Sequence, residues 1–489
     1  MGLLTVILIS PLIGVLTIAL IPGARRGWIR TAAAVASGIP LLLTLALVTL
    51  FDSTSDTFQF EEKVAWVPEL GISYHLGVDG ISAVLALLAS VVLFTGVLSS
   101  WRVEERSKEF FIWLLLLGTG IFGTFLSLDL FFFYFFYEVA VLPMYLLIGI
   151  WGGTDRKYAA TKLTIYISAG AILALVGVIL IYLHVDFSGP RSFDIVEIVQ
   201  RGTISREAQI AIFPFLLFGF GVLAALWPLH TWSPIGYAAA PTGASMMHAG
   251  VLKKLGAFAI LRIALLILPE GAKAWANVIA ALCVFNIIYC GFAAMRQRDM
   301  KYVIGYSSCS HMGYVLLGIA SLQLVGITGA VYMIWAHGIM AALAFSLIGH
   351  IYAETHTKDL DQLGGLARRL PYVAAAFVFM GMANAGIPGT PNFVAELLVV
   401  LGSWEAELYL PAVLAVFGIV VTATYMLRMI RDGLFGAEKT PEVGMKDATS
   451  LIDRAPSLIL IIVLLITGCF PSLLLPVIES GARMIVQRF

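Results

Sequence analysis

Ionisable groups stand inside three apolar runs of the chain: Glu138 in LFFFYFFYEVAVLPMYLL, Lys253 with Lys254 in MMHAGVLKKLGAFAIL, and Glu396 in GTPNFVAELLVVLG. A charge at the centre of a bilayer-length helix costs about 2.5–3.5 kcal/mol on insertion scales, so residues of this kind mark an ion or proton path. Aromatic neighbours strip water from Glu138, and a carboxyl so placed can take up and release protons; its structural alternative is a hydrogen bond to a neighbouring helix. The same pair of readings applies to Glu396. Lys253 and Lys254 point about 100° apart on a regular helix, so they do not face one partner. Counted from Pro241, Lys254 lies about 20 Å deep, beyond easy snorkelling. A lysine there is a proton carrier or one half of a fixed ion pair. His230, His248, His311 and His337 add imidazoles that can relay protons through water or simply pack. None of the four forms an i, i+4 pair with another ligand, so no metal site is expected.

These residues need helices that cross a membrane. Of the 489 residues, 60% are hydrophobic and 12% charged, and the mean hydropathy of +0.95 describes a polytopic membrane protein. The apolar runs are continuous rather than alternating, which predicts an all-α fold and excludes a barrel. Hydropathy and turn signals predict about fourteen transmembrane helices, near 3–20, 29–51, 79–100, 110–127, 129–151, 160–183, 208–228, 240–268, 274–294, 301–320, 325–352, 371–402, 408–430 and 457–477. The longest loops, 52–78, 184–207 and 432–456, are too short for a soluble domain. Pro228 and Pro388 with Pro391 interrupt spans seven and twelve, and such discontinuous helices point to a transport site. One break precedes the lysine helix and the other precedes Glu396.

Lys and Arg are unevenly shared between alternate loops, about nineteen (among them Arg102, Lys301, Lys358 and Arg369) against about seven (among them Lys63, Arg191, Lys273 and Arg483). The richer set belongs in the cytoplasm, which leaves both termini outside. The first apolar stretch has neither a basic n-region nor a small-residue cleavage site, and is read as span one rather than a signal peptide. With 30 Lys and Arg against 30 Asp and Glu, nothing suggests nucleic-acid binding. Cys283, Cys290, Cys309 and Cys469 lack a C-x-x-C pair and read as small buried hydrophobes. No phosphate or dinucleotide loop is present.

The strings LGVDGIS at 76–82, YEVAVLPMY at 137–145, PLHTW at 228–232, APTGAS at 240–245, AGVLKKLGA at 249–257, YSSCSHMGY at 306–314 and GIPGTPNFVAE at 386–396 resemble the antiporter-like subunit M family of bacterial NADH:quinone oxidoreductase, respiratory complex I. The resemblance implies a proton-translocating subunit in the bacterial cytoplasmic (inner) membrane. It implies two inverted five-helix repeats, 109–268 and 274–430, flanked by N-terminal helices in 1–108 and a last helix and C-terminus in 457–489. It makes Glu138 the glutamate of span five, Lys254 the central lysine of span eight and Glu396 the charged residue of broken span twelve. His311 and His337 match histidines of a hydrated central axis, with His230 and His248 as further relay candidates. Flavin, iron–sulfur clusters and quinone would belong to partner subunits, and the immediate partners would be neighbouring antiporter-like subunits and lipid. A cation/proton antiporter subunit, a membrane-bound hydrogenase subunit and a non-pumping structural subunit remain alternatives.

One position departs from the family pattern. Where the family has a lysine in span seven to pair with the glutamate of span five, this chain has Leu223, and SPIGY stands at 233–237 in place of LPDAH. Where Leu-Lys is usual in span eight, the chain has Lys253 and Lys254. The expectation is that Lys253 supplies the missing cation to Glu138 or its water chain; the alternative is that Glu138 is simply protonated at pH 7.

Overall fold

Hydrocarbon offers no water to backbone polar groups, so each apolar run must close its hydrogen bonds within itself as a helix. The structure, a computed structural model, describes residues 2–187, 189–439 and 445–489; parts of the expected loops 184–207 and 432–456 therefore lie outside the described residues. Among those described, 12 helices are long and apolar enough to cross a membrane, from Leu3–Leu20 to Leu451–Cys469. Two interrupted segments, Thr242 through Leu265 and Pro371–Asn384 followed by Pro391–Glu405, complete the expected set of about fourteen. Burial sorts the helices into a centre and a rim. Gly80–Ser99, Met300–Ala320 and Leu324–Thr355 are 89%, 94% and 94% buried over their apolar windows, against 33% for Arg26–Leu50 and for Leu451–Cys469. Rim helices turn side chains such as Leu42, Ile165 and Leu410 outward, where lipid tails replace core packing.

Small residues let the central helices touch. A Cβ on Gly338 would stand 2.7 Å from the Gly250 carbonyl, and one on Gly250 3.2 Å from the Gly338 carbonyl. The lysine helix and the long helix Leu324–Thr355 therefore cross backbone to backbone, beside Lys254 and His337. The lysine helix is not the regular helix the sequence suggests. It alternates α segments, Thr242–Met247 and Lys254–Ala259, with π segments, His248–Leu252 and Ile260–Leu265. The i→i+5 closure resets the direction of every side chain that follows.

The all-α fold carries one small sheet. The stretch taken as a loop at 52–78 folds into an antiparallel hairpin, Gln59–Val67 with Ile72–Val78. It turns through Gly71, whose φ of 69° suits glycine. Side chains tie it down. His75 contacts Asp194 at 2.8 Å and Glu61 at 3.0 Å, and Lys63 contacts Asp194 at 2.6 Å and Glu197 at 2.8 Å. Burial pushes the Asp194 carboxyl up, but the hydrogen bonds and charges of His75 and Lys63 outweigh it and hold the group below its ordinary range. Burial likewise pushes His75 down, and Asp194 with Glu61 more than offset it and hold it above its ordinary range.

Both chain ends meet this layer. Leu4 N and Thr5 Oγ1 donate to Glu62, and Arg483 pairs with Asp56 at 2.9 Å. Two short helices were not anticipated, Ile195–Arg201 in the loop that carries Asp194 and Leu475–Val486 after the last crossing. That crossing ends at Cys469, earlier than the expected boundary near 477.

Candidate functional site

Each broken helix exposes backbone groups, and each break has its own repair. Arg206–Ala224 stops at Ala225, in the left-handed region with φ 56°. Asn286, from Pro269–Arg296, accepts from Trp227 N at 2.6 Å and donates to the carbonyls of Ala225 at 2.9 Å and Cys309 at 3.1 Å. The indole of Trp232 donates to Val222 O at 3.0 Å. The chain resumes as the short helix Trp232–Ala239 and then turns into the lysine helix. At the second break Pro371–Asn384 ends, Gly386 and Gly389 take φ of 67° and 93°, and Pro391 opens the next helix. Gly386 is required twice, for its conformation and for space: a Cβ there would lie 2.2 Å from Oε2 of Glu396.

Four expected residues come together beside this second break. Lys254 is fully buried, and its Nζ donates to the carbonyl of Ala249 in the π turn of its own helix. A charge on Lys254 would act on both His337 and His311. The two imidazoles meet edge to face with centroids 4.9 Å apart. His311 Nε2 then lies 3.8 Å from Oε1 of Glu396, one bridging water or a small side-chain movement from proton transfer. Nδ1 of His311 is set by Ser307, at 2.9 Å from its carbonyl. Tyr425 Oη and Asn384 Nδ2 both donate to Ser307 Oγ, at 2.8 and 3.0 Å. The sequence reading missed Asn286, Ser307, Asn384 and Tyr425; a single amide in LCVFNIIYC was the one visible signal for Asn286.

The remaining candidates sit apart from this line. His230 and His248 are both buried, and the ring nitrogens of His248 have no hydrogen-bond partner among the described residues. His248 stacks on Trp232 at 5.4 Å and meets Tyr237 edge-on at 4.4 Å, while His230 lies against Tyr289 at 5.5 Å. Glu138 is half-buried, on the same helical face as the exposed Phe135, Leu142 and Tyr145, with Tyr134 as its polar neighbour. The pairing expected between Lys253 and Glu138 does not form: Lys253 points the other way, with Nζ 3.4 Å from Ser308 Oγ and 3.3 Å from Cys309 Sγ. The π turn before the lysines, together with their angular offset, directs Lys253 toward Met300–Ala320 and away from the helix of Glu138.

A cavity of about 480 Å³ at the end bearing Arg102, Lys301 and Lys358 reaches Thr242 at the start of the lysine helix. Lys301 stands in it, donating to Ala240 O at 2.7 Å. Among the described residues no three His, Cys, Asp or Glu side chains gather as metal ligands. What the arrangement can do is move protons: titratable groups follow one another from Lys254 to Glu396, and the pair of His311 with Glu396 forms only when the imidazole is protonated.

A family described as "NADH:quinone oxidoreductase/Mrp antiporter, TM" matches residues 127–422. The NADH-quinone oxidoreductase subunit M of Rhodobacter capsulatus is 34% identical over 504 aligned positions, covering 100% of this chain and 97% of its own. An NAD(P)H-quinone oxidoreductase chain 4 of Microcystis aeruginosa is 37% identical, covering 88% and 79%. Among solved structures, respiratory complex I from Thermus thermophilus superposes with a TM-score of 0.88 at 27% identity over 99% of both chains. The Mrp complex from a Dietzia species shares the fold, with a TM-score of 0.86 at 23% identity over 100% and 98%. The family match over residues 127–422 and a 34% identical relative aligned over the full chain, added to two helices broken beside buried lysine and glutamate, make this protein a member of the NADH:quinone oxidoreductase/Mrp antiporter family of membrane subunits.

Proposed function

We propose that the chain is the antiporter-like subunit M of a redox-driven NADH:quinone oxidoreductase and that it translocates protons. The carrying observation is the buried line Lys254, His337, His311, Glu396 between two broken helices. The chain works as one membrane subunit among several, and its redox chemistry belongs elsewhere: flavin, iron–sulfur clusters and quinone sit in partner subunits. A charge relayed from the neighbouring subunit alters the proton affinity of Lys254. The imidazoles then carry the proton to Glu396, each step a response to nearby charge. The outward face of Glu138 supports contact with an adjoining subunit, since an acid facing lipid is costly. His230 and His248 pack near the first break and serve the line only through water.

The protein is multi-pass, in the bacterial cytoplasmic membrane, with both termini outside; the Lys and Arg asymmetry supports that orientation. Division into repeats 109–268 and 274–430 is supported by a break ahead of the functional residue in each. Replacing Lys254 with Ala should cut protons moved per NADH oxidised by about a hundredfold in reconstituted vesicles, the scale of a lost proton-transfer group. Unchanged yield rejects the reading. The shared Mrp fold keeps a cation/proton antiporter as the second reading, favoured by sodium-dependent pH changes without redox turnover.

A further inference from the structure

Lys253 is fully buried, yet no carboxylate lies within ion-pair distance among the described residues. Its neighbours are the hydroxyl of Ser308 at 3.4 Å, the thiol of Cys309 at 3.3 Å and the ring face of Tyr237 at 5.5 Å. A buried ammonium needs a compensating anion or must surrender its proton. Serine does not ionise near neutral pH, and a phenol is ordinarily the weaker acid, near 10 against about 8.5 for a thiol. The thiol is therefore the contact that most readily becomes an anion beside a cation. Cys309 is itself fully buried, 3.8 Å from Ser233 Oγ, and two residues before His311 on the same helix. The Lys253–Cys309 contact therefore runs alongside the Lys254–His311 line, from the same pair of helices.

We propose that Cys309 is the proton-exchange partner of Lys253, standing where a carboxylate would ordinarily answer a buried lysine. The N–H bond at Nζ breaks as the S–H bond at Sγ forms, so ammonium and thiolate become amine and thiol with no electron moved. The assignment rests on the proton-translocating reading above. Other titratable groups face the pair: Cys290 from the preceding helix, Tyr237 from the short helix, His230 at the break, Lys254 and His248 on the lysine helix, and His311. The test must therefore report on the thiol itself.

The assembled complex in vesicles is compared as wild type, Cys309→Ser, Lys253→Leu and Lys254→Ala, with protons per NADH measured across neutral pH. The infrared S–H stretch of Cys309 is assigned by its loss in Cys309→Ser, or in Cys309→Ala should the serine variant not assemble. The S–H band of Cys309 should change amplitude during NADH-driven turnover in wild type and stay constant in Lys253→Leu. Cys309→Ser and Lys253→Leu should each lower proton yield about tenfold, with no further loss when combined. A band that stays constant in turnover, or a Cys309→Ser complex with wild-type yield and pH profile, overturns the proposal while Lys254→Ala still abolishes pumping. Retained yield in Lys254→Ala would instead reject the underlying function.

Discussion

Gly386 shows how one residue governs the outlet of the proposed proton line. Its φ of 67° and the Glu396 carboxylate 2.2 Å from where a Cβ would stand leave no room for alanine. Gly386→Ala costs about 1–2 kcal/mol in the left-handed region and must also push Glu396 from His311. Proton yield in vesicles should fall by about tenfold or more. Gly389 supplies the control, because its φ is 93° but a Cβ there meets nothing within 4 Å. Gly389→Ala should carry the backbone strain and keep most of the yield; equal losses would remove the steric account. At this scale Glu138, Lys254 and Glu396 were legible because a full charge in an apolar run has few explanations. Ser307, Asn384 and Tyr425 were not, since hydroxyls and amides are tolerated in membrane helices wherever a carbonyl or another helix answers them.

Among the elements, the spans and both breaks were readable from hydropathy and proline. The hairpin was not, because its first strand, QFEEKVAWV, carries charges that read as a loop. Its attachment depends on pH in a defined direction. The native value of His75 lies above its ordinary 6.5, so its contribution is complete below that pH and is lost as pH rises through the native value. The native value of Asp194 lies below its ordinary 3.8, so its contribution holds above that pH and is lost as pH falls through the native value. The hairpin is therefore held best between these limits. Hydrogen exchange at Ile72–Val78, corrected for intrinsic rates, should accelerate on going from mildly acidic to alkaline buffer, and His75→Asn should abolish the step. The same pH response in both proteins would show that another group controls the attachment. The π segments of the lysine helix also escaped the sequence, since a π turn and an α turn share one hydropathy pattern.

Across the whole molecule, Asp79 and Arg262 join the third span to the far end of the lysine helix. They meet at 2.6 Å, are 1% and 3% exposed, and are separated by 183 residues. Asp79→Ala leaves the guanidinium buried without its carboxylate and should destabilise by about 3–5 kcal/mol. Asp79→Ala with Arg262→Met should recover most of that in detergent unfolding, short of about 1 kcal/mol because Asp79 also caps Gly80–Ser99 by accepting from Ser82 N. No recovery would mean that packing rather than charge accounts for the loss. By itself the sequence determined the membrane class, the spans, the presence of charges within apolar runs and the two broken helices. Each follows from local chemistry: apolar length, the cost of a charge in hydrocarbon and the missing donor of proline. Only the tertiary structure decided which group answers which. Lys253 turns to a thiol 56 residues away and not to Glu138. That choice depends on a π turn and on a glycine-to-glycine helix crossing, and neither the angle of the turn nor the neighbour at a given depth is written in a short-range pattern.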